Sequence, residues 1–93
     1  MRTVKKKTIR REYLKILRKD KGITAAEMAG MIGLSCRQHY LRYENGERDL
    51  GKKGRISYFS KFSRIFCLPI YFFEQAEDDY LKAKEDYNAL NHS

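Results

Sequence analysis

Only one Pro and six Gly occur among 93 residues, too few for the closely spaced turns of an all-β sandwich or barrel. Trp is absent. The two Cys, Cys36 and Cys67, stand far apart and make neither a disulfide framework nor a zinc-ligand spacing. No apolar run approaches the roughly 18 residues of a membrane span, and residues 1–16 carry no signal-peptide hydrophobic core. These absences lead to the expectation of a reduced, cytoplasmic protein with no membrane role. Nor is there a Gly-rich phosphate loop, a metal-ligand cluster or a credible catalytic pair. Cys36 and His39 lie three apart on a helix but lack a third polar partner, so the expectation is no enzyme, no cofactor and no metal.

What is present is an excess of positive charge. Lys and Arg number 20 against 12 Asp and Glu, a net of +8. The excess is unevenly spread: residues 1–73 hold 18 basic and 6 acidic residues, whereas residues 74–93 hold 2 and 6. A basic globule with an acidic tail suits a polyanionic partner, nucleic acid foremost. With 42% apolar and 34% charged residues, one mostly helical domain is expected.

Residues 1–7 read as a basic arm. Ile9, Tyr13, Ile16 and Leu17 share one face of a helix expected over 8–19, closed by Gly22 in a left-handed cap. Thr24 is a candidate N-cap, with Glu27 at the capping-box position, for a helix over 25–32 that turns Met28 and Ile32 inward. After Gly33, Ser35 is the next candidate N-cap, with Gln38 three residues on. A helix over 36–45 then carries Tyr40 and Tyr43 on one face and ends at Gly46. Two short helices across a Gly-containing turn are the description of a helix-turn-helix. Residues 45–55 read as a basic, Gly-rich loop. A fourth helix over 56–67 packs Phe59, Phe62 and Phe66, with Cys67 in the core at its end. Pro69 opens a short helix, and Phe73, Ala76, Tyr80, Ala83, Tyr87 and Leu90 form a stripe on a final one.

Leu17-Arg18-Lys19-Asp20-Lys21-Gly22-Ile23-Thr24, Met28-Ala29, Ile32-Gly33-Leu34-Ser35 and Tyr43-Glu44-Asn45-Gly46-Glu47-Arg48 resemble the lambda-repressor-like (Cro-type, XRE-like) helix-turn-helix family, as does Phe62 through Phe73. The resemblance covers 57 residues, Leu17 to Phe73. It implies an all-α, compact five-helix domain over 8–73, preceded by the arm at 1–7 and followed by an extra acidic amphipathic helix over 74–93. It also implies a homodimer whose third helix enters the major groove of double-stranded DNA. There are three departures: one extra residue between Gly33 and Gly46, Ala25 in place of a phosphate-binding Gln, and a longer loop before the fourth helix.

Carried onto this sequence, the base-reading positions are Arg37, Gln38 and Arg42, with Leu41 available to a thymine methyl. Arg bonds bidentately to guanine and Gln to adenine, each pair giving about 1–3 kcal/mol of discrimination. Candidate phosphate contacts are Thr24, Asn45, Lys52, Lys53, Arg55 and the arm residues Lys5, Lys6 and Lys7. His39 either touches phosphate or fills the wall of the turn. The resemblance also implies a structural ion pair between Arg18 and Glu44. Phe72, Phe73, Tyr80, Tyr87 and Leu90 make a candidate dimer or docking face, the stripe either folding back over Phe72 and Phe73 within one subunit or pairing with its twin, and Glu77, Asp78, Asp79, Glu85 and Asp86 make an acidic face repelled by DNA. The expected function is a transcriptional repressor in the cytoplasm of a bacterial or phage-infected cell, associated with the nucleoid. The alternative is a protein-interaction module on the same fold, antitoxin-like or a phage-encoded inhibitor of a host nucleic-acid enzyme.

Overall fold

The computed structural model describes residues 9–91, which form α1 (Glu12–Asp20), α2 (Ala25–Met31), α3 (Arg37–Glu44), α4 (Gly51–Phe66) and α5 (Ile70–Asn91), with no strand among the described residues. The chain is all-α, as its composition predicts. The basic arm at 1–7 lies outside the described residues.

The local signals in the first half act much as read. Gly22, at φ 69°, turns the chain out of α1, and the Ile23 N–H closes back on the Arg18 carbonyl at 3.0 Å. Thr24 caps α2 with both halves of the box: the Glu27 N–H donates to Thr24 Oγ1 at 3.1 Å and the Thr24 N–H to the Glu27 carboxylate at 2.9 Å. The Thr24 backbone N–H, then its hydroxyl, hold the Glu27 carboxyl below its ordinary value. Gly33, at φ 82°, ends the second helix.

Other expectations are corrected. The first helix begins four residues later than expected, and its buried residue is Leu14, whereas Ile16 is 56% exposed. Residue 36, not Ser35, is the N-cap of α3, and no side chain closes that end. Ser35 Oγ instead meets His39 Nδ1 at 3.2 Å, so Gln38 completes no capping box. The basic loop is shorter than expected because α4 starts at Gly51 and takes in the Lys52–Arg55 segment. Gly costs about 1 kcal/mol in a helix interior relative to Ala; here Leu50 is buried and Arg55 lies over the Phe59 ring at 5.5 Å, tertiary contacts that offset it. Cys67 is not core: it is exposed, in a left-handed backbone at φ 56° that turns the chain out of α4. The short helix after Pro69 and the final helix are one continuous element, α5.

Phe73, fully buried, sits at the centre of an aromatic cluster, 5.2–6.5 Å from the rings of Phe72, Phe62, Phe59, Phe66 and Tyr13. Leu14, Met28, Ala29, Ile32 and Tyr40 complete the core from α1, α2 and α3. The third helix thus packs its Tyr40 side inward and turns the opposite side out.

Candidate nucleic-acid interface

Three of the four residues expected to read bases stand on the outward side of α3. Arg37, Gln38 and Arg42 are exposed, and none of their side chains bonds to another described residue. Gln38 and Arg42 are one turn apart, on the same face, and Arg37 adjoins Gln38. Leu41 differs: it is half-buried and packs against the core, so only part of its side chain faces outward.

The expected phosphate contacts divide. Thr24 is exposed, with its hydroxyl engaged in the capping box of α2. Lys52 and Lys53 are exposed in the first turn of α4. Asn45 is half-buried at the end of α3. His39 is half-buried against Ser35, in the wall of the turn. Arg55 is engaged internally, bonded to Asp78 of α5 at 3.0 Å, and so does not stand free as expected. Lys5, Lys6 and Lys7 lie outside the described residues. Arg48 is a further cation here, exposed in the turn after α3 with its guanidinium 5.8 Å from the Tyr43 ring centroid; its signal in the sequence is its place directly after Gly46-Glu47.

Two ion pairs support the face from behind. Arg18 meets Glu44 in a bidentate bond, Nε to Oε2 at 2.9 Å and Nη2 to Oε1 at 3.0 Å, and Nη1 donates to the Ile23 carbonyl. Burial acts to raise the Glu44 carboxyl, but the Arg18 bond and the Tyr40 hydroxyl beside it outweigh that, and it is held below its ordinary value. Burial, with the Glu44 charge, pushes the Tyr40 hydroxyl far up.

The second pair was not anticipated. Arg11 and Glu77 are both buried: Nε donates to Oε1 and Nη2 to Oε2, each at 2.9 Å. Tyr13 adds its hydroxyl to Oε1 at 2.7 Å, burial first and then the Glu77 charge keeping that hydroxyl protonated. Glu77 therefore belongs to the core and not to the acidic outer face, where Asp78, Asp79, Glu85 and Asp86 are exposed. Sequence periodicity carries no signal for such a pair, because a charge in the apolar register of α5 looks like an interruption of the stripe.

Of the two readings of the α5 stripe, folding back within one subunit holds for Phe73 and Tyr80. Phe73 and Tyr80 are buried within this chain and Phe72 and Tyr87 are half-buried, whereas Leu90 is 75% exposed. Among the described residues no group of three or more His, Cys, Asp or Glu is placed to hold a metal ion, and no helix is long and apolar enough to cross a membrane. No family model, curated protein or solved structure matches the chain.

Proposed function

We propose that the chain is a sequence-specific double-stranded DNA-binding protein of helix-turn-helix type, acting as a homodimeric transcriptional repressor in the cytoplasm, with α3 reading the major groove. The observation that carries this reading is the outward side of α3. Arg37, Gln38 and Arg42 stand there exposed, their side chains bonded to no other described residue, while Arg11, Arg18 and Arg55 are engaged in ion pairs. Two guanidiniums and an amide on one short helix match the donor and acceptor pattern of guanine and adenine edges. Thr24, Arg48, Lys52 and Lys53 flank this face in the sequence and supply phosphate contacts, which position without specifying.

Selection from a random duplex pool, at near-physiological salt with excess nonspecific polyanion, tests the reading. A single enriched, roughly palindromic site is expected, its half-site spacing giving the distance between the two α3 helices. Arg37→Ala with Arg42→Ala should abolish the preference and leave a weak, sequence-blind affinity. If about five phosphates are neutralised, log affinity should fall against log salt with a slope of about −4 to −5. Recovery of sequence-blind binding alone from the unaltered protein sinks the repressor reading. It would favour a protein-interaction module docking through the exposed end of α5, where Leu90 stands out of the core.

A further inference from the structure

The three carbonyls of Tyr43, Glu44 and Arg48 converge on one residue from elsewhere in the chain. A helix leaves its last four carbonyls without intrahelical partners. In α3 the first two are satisfied locally: Leu41 accepts from the Asn45 N–H at 2.8 Å and Arg42 from the Glu47 N–H at 2.9 Å. The last two are not served by the turn alone. Glu44 accepts the backbone N–H of Arg11 at 2.8 Å. Tyr43, which takes a 3.2 Å bond from Gly46, also accepts from Arg11 Nη1. The same Nη1 reaches the Arg48 carbonyl at 2.9 Å. Arg11 thus closes the C-terminal end of α3 from outside the helix, with a cation at the negative end of its dipole.

We infer that Arg11, held by Glu77, is a positioning residue for the reading face of α3, fixing that helix by its C-terminal end against α5. The inference rests on the DNA reading proposed above. Glu77 takes the other edge of the guanidinium in a bidentate bond, and the Tyr80 ring lies against it with its centroid 4.6 Å from Cζ. The planar group therefore has one orientation in which all its partners are met. The other end of α3 is unlike this one: no side chain caps it at residue 36, and Arg37 and Gln38 stand clear of the protein. Tyr40 holds the body of α3 against the core, and the Arg11 bonds fix the C-terminal end and with it the tilt of the helix. A small misplacement there moves every base-reading side chain together. Arg11 is fully buried, so it touches no phosphate itself.

The test uses the full chain with Arg11→Lys and Glu77→Gln, each compared with the unaltered protein. A lysine keeps the charge but lacks the fork that reaches Glu77 and both carbonyls at once. If Arg11→Lys does not fold by circular dichroism, Glu77→Gln carries the test, since it retains the shape of the glutamate while removing its charge and one of the two acceptors of the bidentate bond. Two quantities are read from the folded variant. Amide hydrogen exchange should quicken at least about tenfold in α3 and the turn after it while α2 keeps its protection. Preference for the selected duplex over a scrambled one should fall about tenfold, the loss of one well-aligned base pair contact, with the slope against salt unchanged.

A purely structural role would quicken exchange evenly through the chain and leave the preference of the folded fraction intact; that result overturns the inference. A salt slope reduced by about one also overturns it, because Arg11 would then be contacting phosphate. If the unaltered protein prefers no duplex, the DNA reading fails by itself. The exchange pattern then decides separately: quickening confined to α3 upholds the anchoring, and even quickening rejects it.

Discussion

Gly22 and Gly46 share a left-handed backbone, at φ 69° and 78°, but differ in what surrounds them. A Cβ on Gly22 would meet nothing within 4 Å, whereas one on Gly46 would fall 2.0 Å from the Ile9 carbonyl oxygen and 2.9 Å from the Tyr80 hydroxyl. Gly22→Ala should therefore cost only the left-handed penalty, about 1–2 kcal/mol. Gly46→Ala adds a backbone collision and should cost more than about 4 kcal/mol, a difference that urea denaturation of the two variants resolves. Glu44 gives the chain an acid lability. Its folded carboxyl lies below the unfolded value, so as pH falls the unfolded chain binds the proton first. The stabilisation is complete above the unfolded pKa of about 4.3 and is lost as pH drops through the lower, folded value. Glu44→Gln should accordingly be destabilised relative to the unaltered protein at pH 7, with the gap narrowing by pH 3 in denaturant midpoints. At this scale the sequence is legible for residues that act on their own backbone, such as Gly22, Gly33 and the Thr24–Glu27 box. It is opaque for Arg11 and Glu77, whose chemistry depends on a partner 66 positions away and whose type usually signals solvent.

Helix starts and stops were legible where a short polar side chain or a glycine sets them, and not where packing does. Thr24→Ala should cost α2 about 1 kcal/mol, visible as a lowered unfolding temperature, because both halves of its box are made. Ser35 resembles a cap and so points to a helix start at residue 36, yet its hydroxyl faces His39 and α3 starts at Arg37. The first turn of α4 was hidden by two glycines, and burial of Leu50 is a fact of the tertiary structure that no local window contains. Arg18→Ala would leave the Glu44 carboxylate buried without its counter-ion. A loss of about 3–5 kcal/mol is expected in a denaturant titration, several times that of Lys84→Ala, whose partner Asp49 is largely exposed and whose pair is worth about 0.2–1 kcal/mol. That contrast separates the ion pair behind α3 from the ones that merely tie α5 to the surface.

At the scale of the molecule, α5 is the element whose reading changed most. Its 22 residues begin inside the aromatic cluster and end with Leu90 exposed, within a body of 42 × 30 × 25 Å. Phe73→Ala would open a cavity among five other rings and should cost about 3–5 kcal/mol, enough to leave a marginal domain of this size largely unfolded in a thermal scan. The all-α class is legible in composition and spacing, which are properties of neighbouring residues, whereas the outward positions Arg37, Gln38 and Arg42 are what the family resemblance implies. The division at residue 73 could not hold, because Glu77 and Tyr80 beyond it are core residues. The clasp between Arg11 and Glu77 has one more consequence, in the order in which the protein is made. A chain emerges from its N-terminus, so Arg11 is synthesised 66 residues before the carboxylate that neutralises it. Until then its guanidinium can reach the Tyr43 and Arg48 carbonyls, but its charge has no counter-ion and its orientation is not fixed. The growing chain can assemble α2 against α3 early, but its native form must wait for the opening turns of α5, the last described helix, to leave the ribosome.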